Sequence, residues 1–293
     1  MYNSPLSFTH NPLLTRMSTQ EASGSNAGGD VLTPQFTPQQ IEEFNKQLEG
    51  KSPQEILTWA IDNVDGLYQT TAFGLTGTAA VDMISKISID REETHLVPLI
   101  FLDTLYHFPE TLQLAQTMAD TYLAPLHIYK PPNVSTAAEF EAKYGEKLWE
   151  TDEASYDYLV KVEPGARAYK ELGVRAVITG RRRSQGAERE NLQAIEVDER
   201  GLIKINPLIN WSFKDVKAYI DENNVPYNPL LDQGYRSIGD VHSTAPPDPN
   251  AKSDASERSG RWAGKNKTEC GLHSNYFEMK KKFEAKAARE TSA

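Results

Sequence analysis

Short apolar runs alternate with stretches of helical spacing along most of the 293-residue chain. The run at 96–102 (LVPLIFL) shows no alternation of apolar and polar residues, which is typical of a strand buried on both faces of a parallel sheet. Helix starts are indicated at Thr37-Pro38 and Ser52-Pro53, because each pair places a hydroxyl cap before a proline. This order predicts one α/β domain with a doubly wound, mainly parallel sheet and helices on both faces. The predicted strands are 67–74, 96–102, 126–129, 174–179 and 201–208.

Composition divides the chain into three parts. Residues 1–35 are rich in Ser, Thr, Asn, Gly and Pro, so we expect a disordered N-terminal tail. The α/β domain is expected over 36–244. Residues 245–268 contain many Pro, Ser and charged residues and few apolar ones, which is typical of a flexible connection. We therefore expect 245–293 to form a mobile C-terminal arm that carries the only cysteine and a final helix.

The charge and the cysteine content restrict the possible functions. The net charge is −10 and the pI is near 5.2, which argues against binding of nucleic acid or an anionic membrane by the whole chain. No apolar run approaches the roughly 20 residues that span a bilayer, and the N-terminus lacks the pattern of a secretory signal. A single cysteine excludes an intramolecular disulfide and a cysteine-ligated iron–sulfur cluster or zinc site. A reducing compartment, the cytoplasm or the nucleus, fits this composition best.

Three loops that follow predicted strands carry groups suited to an anion. Gly74 and Gly77 stand between a strand and an apolar helix, where backbone N–H groups and the helix dipole attract negative charge. Asp103 and Thr104 follow the next strand, at the sheet edge where α/β proteins bind ligands. A later strand ends in the consecutive arginines 181–183, and arginine forms bidentate bonds to phosphate and sulfate. An ordinary strand–turn–helix and a solvated basic loop stay open as alternatives for the first and third loops.

Cys270 is the only cysteine, so any thiol chemistry of this chain must use it. Lys265 and Lys267 precede it and His273 follows it, and nearby cations stabilise the nucleophilic thiolate. Glu269 acts in the opposite direction, so the sequence does not give the sign of a pKa shift for this thiol. The polar flanks favour an exposed, reactive cysteine, and the alternative is a small buried residue of the core.

Six motifs occur in order along the chain, and ECGLH at 269–273 is the most specific of them. The others are TTAFG at 70–74, LDT at 102–104 with HFPET at 107–111, KVEP at 161–164, GRRRSQG at 180–186 and GYRSIGD at 234–240. Together they resemble the phosphoadenylyl-sulfate (PAPS) reductases, members of the adenine-nucleotide α-hydrolase-like group. The resemblance covers about 52–273 and implies a doubly wound sheet with a modified phosphate loop, usually in a homodimer.

The resemblance also implies roles for individual residues. Cys270 is the implied nucleophile, and His273 either assists the thiolate or only orients the tail. Family loops often have Ser where Thr70 and Thr71 stand, but the hydroxyl donor is retained. The residues implied to bind the substrate are Thr70, Thr71, Phe73, Gly74, Asp103, Thr104, Arg181, Arg182, Arg183, Gln185, Tyr235, Arg236, His242, Arg261 and Lys265.

A sequence difference between branches of the family indicates whether the substrate carries a 3′-phosphate. Members that act on unphosphorylated adenylyl sulfate usually have paired cysteines, including a pair near 238–244, that bind an iron–sulfur cluster. This chain has Ile-Gly-Asp-Val-His at 238–242 and resembles the cluster-free branch that prefers the 3′-phosphorylated substrate. The implied enzyme therefore binds no cluster and no other cofactor.

The implied reaction is the reduction of PAPS to sulfite and adenosine 3′,5′-bisphosphate (PAP) in sulfate assimilation. A Cys270 thiolate would attack the sulfur and form an S-sulfocysteine. With no second cysteine in the chain, an external dithiol, expected to be thioredoxin, must release the sulfite. Two other classes stay open: an ATP pyrophosphatase or adenylyltransferase, which would need ATP and Mg²⁺ but not the cysteine, and a non-catalytic nucleotide-binding or redox-sensing protein.

Overall fold

The computed structural model describes residues 31–186, 189–245, 257–258, 260–261, 267 and 271–291. The predicted N-terminal tail up to residue 30 lies outside this set, as do Lys265, Cys270 and most of 246–266. The division of the chain into tail, domain and mobile arm therefore stays a prediction.

Six strands of the described residues form one sheet: β1 (Leu67–Thr70), β2 (Leu99–Leu102), β3 (Leu126–Tyr129), β4 (Ala176–Ile178), β5 (Ile195–Val197) and β6 (Ile203–Ile205). Their order in the sheet is β3-β2-β1-β4-β6-β5. Every neighbouring pair is parallel except β5 and β6, which are antiparallel. The sheet confirms the predicted mainly parallel α/β fold.

The sequence did not predict β5. This strand has three residues, and its burial falls from Ile195, which is buried, to Val197, which is exposed. Such a short edge strand has no apolar run that would mark it. The Asn45 side chain pairs with both the N–H and the C=O of Ile195 at 2.9 Å, so it covers part of the open edge of the sheet.

Helix starts follow the predicted capping residues. The side chains of Thr37 and Ser52 each accept a hydrogen bond from the backbone N–H three residues later, and Ser212 caps a third helix in the same way. A single π-helical turn, Tyr158–Val162, joins α7 to α8. The helices are α1 (Pro38–Leu48), α2 (Pro53–Asn63), α3 (Leu75–Asp90), α4 (Pro109–Tyr122), α5 (Ala137–Tyr144), α6 (Leu148–Thr151), α7 (Glu153–Asp157), α8 (Glu163–Glu171), α9 (Phe213–Asn223) and α10 (Tyr276–Thr291).

Apolar side chains cover both faces of the sheet. Residues of α2, α3, α4 and α9 pack with alternate positions of the central strands, such as Leu99 and Ile178, in the main core. On the other face, α8 packs on Ile100 and Val177. A further cluster joins α5, α6 and α7 to α10 through Tyr276. Within the described ranges, no helix combines the length and the apolar character that a membrane span requires.

The strand order creates a switch point between β1 and β4. From β1 the chain moves outward to β2 and β3, and then returns to place β4 on the other side of β1. The loops that follow β1 and β4 therefore leave the sheet in opposite directions. A crevice at this point is where open α/β sheets bind their ligands.

Candidate active site

A cavity of about 280 Å³ opens at the carboxyl ends of β1 and β4. Its lining comes from 70–77 after β1, from 179–181 after β4 and from 235–238. Leu272, from the C-terminal part of the chain, also lines it. The cavity therefore collects residues from most of the motifs that carried the family resemblance.

Thr71 and Gly77 fix the shape of the loop between β1 and α3. The Thr71 hydroxyl accepts a hydrogen bond from the N–H of Phe73 at 2.9 Å, and Phe73 has a left-handed backbone with φ of 54°. A Cβ on Gly77 would lie 2.5 Å from the Thr71 Oγ1, so only glycine permits this close approach. The ring of Phe73 is buried, with its centroid 5.5 Å from that of Phe101. The loop is thus anchored to the core beside the cavity.

The first turn of α3 adjoins the cavity. Gly74 is the N-cap residue and supplies no side-chain hydrogen bond, so no side chain caps the first N–H groups of this sixteen-residue helix. The cavity lining includes 74–77, which places these backbone donors at its wall. Uncapped N–H groups and the helix dipole together favour a bound anion at this position.

Six lysine and arginine side chains also line the cavity: Lys161, Arg181, Arg189, Arg200, Lys204 and Arg236. Arg181 pairs with Glu196 at 2.6 Å, while Arg200 and Lys204 share Asp198 at 3.1 and 3.4 Å. Burial, together with the charges of Arg181 and Arg200, lowers the pKa of the Lys204 ammonium, although Asp198 acts against this shift. In a chain with a net charge of −10, this wall concentrates positive charge where the uncapped helix lies.

Arg182 is completely buried beside the cavity. Its Nε donates to Thr76 Oγ1 in the first turn of α3 at 3.0 Å, and its Nη1 donates to the carbonyl of Trp211 at 3.1 Å. The Nη2 donates to both carboxylate oxygens of Glu257 at 2.6 and 2.5 Å. Glu257 itself lines the cavity, so a carboxylate at the cavity wall binds this buried guanidinium. The arrangement is suited to an anion, because a buried guanidinium requires a negatively charged or hydrogen-bonding partner.

Asp240 is a buried carboxylate that orients cavity residues. It accepts hydrogen bonds from Thr104 Oγ1 at 2.6 Å and from Lys161 Nζ at 3.0 Å. Burial by itself raises the pKa of this carboxyl, but Lys161, His107 and the Thr104 hydrogen bond together lower the pKa below its ordinary value. Asp240 is therefore ionised at neutral pH and holds both donors in place.

His242 lies behind Asp240 and does not line the cavity. Its ring stacks on Trp149 with centroids 4.2 Å apart, and its Nε2 is 2.8 Å from the Tyr156 hydroxyl. Tyr156 in turn donates to Asp240 at 3.3 Å. In this structure, His242 supports the network around Asp240.

The structure brings together most of the described residues that the sequence assigned to substrate binding. Those in the cavity lining are Thr70, Thr71, Phe73, Gly74, Thr104, Arg181, Gln185, Tyr235 and Arg236.

Three predicted residues besides Arg182 and His242 do not belong to the lining. The Asp103 carboxylate accepts a hydrogen bond from the N–H of Leu105 at 2.9 Å and so shapes its own loop. Arg183 donates to the carbonyl of Leu192 at 2.9 Å, away from the cavity. The guanidinium of Arg261 packs against Gly239, where a Cβ would lie 2.3 Å from it.

The predicted catalytic residues Cys270 and His273, and Lys265 of the predicted substrate-binding set, are described only in part. Lys265 and Cys270 lie outside the described residues, and of His273 the structure describes the backbone, in the short 3₁₀ turn Gly271–His273. The residues next to them are informative. Leu272 lines the cavity, while the Lys267 side chain and the Gly271 N–H both contact Asp157.

Sequence reasoning missed several cavity residues. Arg200 and Lys204 were not assigned to the site, although a lysine at the centre of the apolar strand Ile203–Ile205 is a signal that could have marked it. Glu257 lies in the stretch that we assigned to a flexible connection, and nothing in its local sequence points to a buried arginine. Among the described residues, no group of three or more His, Cys, Asp or Glu side chains is arranged to hold a metal ion.

Comparison with known proteins places this architecture in a family. The profile of the phosphoadenosine phosphosulfate reductase domain matches residues 66–246. The phosphoadenosine phosphosulfate reductase of Emericella nidulans is 53% identical over 261 residues, which cover 88% of this chain and 83% of that protein. The Saccharomyces cerevisiae protein of the same name is 54% identical over 243 residues, which cover 81% of this chain and 90% of its own length.

A solved structure agrees with these sequence matches. The crystal structure of PAPS reductase from Candida auris, a phosphate complex, is 53% identical and superposes with a TM-score of 0.65, covering 73% of this chain and 100% of that one. The cavity at the switch point, the ordered motifs and these matches lead to one conclusion: the chain belongs to the phosphoadenosine phosphosulfate reductase family.

Proposed function

We propose that this chain reduces PAPS to sulfite and PAP, with Cys270 as the nucleophile and thioredoxin as the electron donor. The observation that carries the proposal is that Leu272 lines the cationic cavity. Leu272 stands two residues after Cys270 in the sequence, and two residues of chain span at most about 7 Å. This short covalent connection supports the proposal that the only thiol of the chain acts at this cavity.

The cavity offers several groups that suit the anionic part of the nucleotide. The uncapped first turn of α3 and the cations at Arg181 and Lys204 suit the phosphate and sulfonate oxygens. Arg182 now binds the carboxylate of Glu257, and an anionic group of the substrate would compete with that carboxylate. The names of the Emericella and Saccharomyces relatives support the 3′-phosphorylated nucleotide as the substrate.

The first half-reaction is a displacement at sulfur. The Cys270 thiolate attacks the sulfur of PAPS, an S–S bond forms, and the bond from sulfur to the phosphate oxygen breaks. PAP leaves with the electron pair of that bond, and Cys270 becomes an S-sulfocysteine. The cationic wall stabilises the negative charge that develops on the leaving phosphate.

The second half-reaction needs an external dithiol. A thioredoxin thiolate attacks the Cys270 sulfur, and sulfite leaves with the electrons of the S–S bond, so its sulfur is reduced by two electrons. The second thioredoxin thiol then resolves the mixed disulfide and returns the Cys270 thiolate. The sequence supports this partner, because Cys270 has no second cysteine in its own chain.

The remaining parts of the proposal follow from the family resemblance. The enzyme is proposed to act as a homodimer, without an iron–sulfur cluster, in a reducing compartment such as the cytoplasm. Light scattering of the full chain measures the oligomeric state, and iron analysis of the purified protein tests for the cluster.

A sulfite-release assay tests the proposed activity. With PAPS and reduced thioredoxin, the wild-type enzyme is expected to release one sulfite per PAP, while Cys270→Ser should release none and still bind PAP. Unphosphorylated adenylyl sulfate, tested in parallel, is expected to be the poorer substrate. Full sulfite production by Cys270→Ser, or a requirement for ATP and Mg²⁺, would contradict the proposal.

A further inference from the structure

Asp157 contacts the chain on both sides of Cys270. Its Oδ2 accepts a hydrogen bond from Lys267 Nζ at 2.5 Å and another from the Gly271 N–H at 3.1 Å. Lys267 lies three residues before Cys270, and Gly271 is the residue after it. We infer that Asp157 is a positioning residue that holds the cysteine-bearing segment in place for attack on the substrate. This inference rests on the proposed function.

The contact with Lys267 is shielded from solvent. The Asp157 side chain is 6% exposed and that of Lys267 is 14% exposed. Salt screens a partly buried ion pair much less than a surface pair. Glu153, whose carboxylate lies 3.5 Å from Lys267 Nζ, is a second and more exposed partner of this lysine. A carboxylate at this position therefore restrains Lys267 more firmly than a surface salt bridge would.

Gly271 allows the backbone to approach Asp157 closely. A Cβ at position 271 would lie 2.8 Å from the Asp157 Cβ and 3.0 Å from the Met279 Cε. The next residue, Leu272, packs its Cδ1 beside Gly165 of α8, where a Cβ would lie 3.1 Å from it. The segment after Cys270 is thus fitted against α7, α8 and α10.

The same carboxylate is linked to the cavity. Lys161 Nζ lies 3.3 Å from Asp157 Oδ1 and 3.0 Å from Asp240 Oδ2, and Lys161 lines the cavity. Asp157 therefore contacts both the flanks of the cysteine and a cation of the substrate wall. This position, at the end of α7 where the π-helical turn begins, explains how the thiol can be aligned with the bound nucleotide.

A neighbouring ion pair provides a matched control. Asp152 precedes α7 and pairs with Lys286 of α10 at 2.5 Å. This pair fastens α7 to α10, and the Asp152 carboxylate also accepts hydrogen bonds from the N–H and the hydroxyl of Ser155 at 3.0 and 2.6 Å. If the effect of Asp157→Ala came only from loosening α7, both substitutions would have the same effect.

The test is a single-turnover experiment with saturating PAPS and no thiol, in which intact mass follows modification of Cys270. Asp157→Ala is expected to reduce the rate constant about 10- to 100-fold, because misplacing a nucleophile by about 1 Å costs up to this factor. The rate constant of Asp157→Asn should fall less, since the amide oxygen can still accept a hydrogen bond from the Gly271 N–H. Asp152→Asn should react at the wild-type rate. Calorimetric affinity for PAP should change by less than about threefold in all three variants, because Lys161 retains Asp240.

Several results would overturn the inference. The first is an unchanged rate constant in Asp157→Ala. The second is a fall in the rate constant of Asp152→Asn that equals the fall in Asp157→Ala. The third is a loss of PAP affinity in Asp157→Ala that accounts for the whole fall in its rate constant. If Asp157→Ala does not fold, Lys267→Gln removes the ion pair from the other side and should also slow the modification. If the wild-type protein forms no adduct with PAPS, the proposed function itself fails. If the wild-type protein reacts normally and Asp157→Ala reacts at the same rate, only the inference about Asp157 fails.

Discussion

At the scale of single residues, the buried Arg182 joins parts of the site that are far apart in the sequence. One guanidinium contacts Thr76, Trp211 and Glu257 through three different nitrogen atoms. A lysine carries its charge on a single nitrogen and cannot repeat this fork of donors. Position 182 therefore requires the geometry of the guanidinium as well as its charge.

Arg182→Lys is therefore expected to weaken PAP binding at least about 10-fold, because losing one charge-assisted hydrogen bond costs roughly 1.5–3 kcal/mol. Calorimetry measures the change. The matched control is Arg183→Lys, since the Arg183 guanidinium contacts Leu192 and Asn210 and not the cavity. Equal losses of PAP affinity in the two variants would contradict a specific role of Arg182 in nucleotide binding.

A second residue-scale prediction concerns His95, a buried residue that precedes β2 and does not line the cavity. Burial lowers its pKa to about 4 from 6.5. Between these values the unfolded chain binds more protons than the folded chain, so stability falls as the pH falls through this window. His95 should account for about 2 kcal/mol of the loss between pH 7 and pH 5, at 1.36 kcal/mol per pKa unit.

Urea unfolding of the wild type and of His95→Gln at both pH values measures this contribution. The variant should be less sensitive to pH, although other titrating groups still contribute. An equal loss of stability in both proteins would contradict the prediction.

At the scale of elements, the start of α3 depends on a close contact between helix and loop. A methyl group on Gly77 would lie 2.5 Å from Thr71 Oγ1, and Thr71 in turn holds the backbone of Phe73. Gly77→Ala should lower the free energy of unfolding by about 1–3 kcal/mol, as overpacking does in other cores. Chemical denaturation measures this cost.

Gly74→Ala is the control for the stability measurement. It adds the same methyl group three residues earlier, where no atom lies within 4 Å and φ is −67°. The expected loss of unfolding free energy is about 0.5–1 kcal/mol, because alanine is a poorer N-cap residue than glycine but meets no atom that it would overpack. If both variants lost the same stability, the contact with Thr71 would not be the cause.

At the scale of the whole molecule, the sequence predicted the elements that carry a local signal. The buried run that forms β2, the exact bounds of β3 and the caps at Thr37 and Ser52 all follow from short-range patterns. The strand β5 was missed, because three residues at a sheet edge have no apolar run, and the Asn45 side chain that pairs with Ile195 lies 150 residues away in the sequence.

The site was predictable where a motif follows a strand, as in 70–74 and at Arg181. Lys204 and Arg200 line the cavity because β6 pairs with β4. No short stretch of the sequence predicts that pairing. The contact of Asp157 with Lys267 joins positions 110 residues apart. No spacing rule could predict it, because it depends on how α10 and the chain before it pack on α7.

The measurement that tests the central claim most directly is the intact mass of the reduced protein after mixing with PAPS in the absence of thiol, followed by peptide mapping. The account predicts a mass gain of one sulfonate group on Cys270, which reduced thioredoxin then releases as sulfite. Nucleotide binding without any adduct, or an adduct on another residue, would contradict the assignment of Cys270 as the nucleophile.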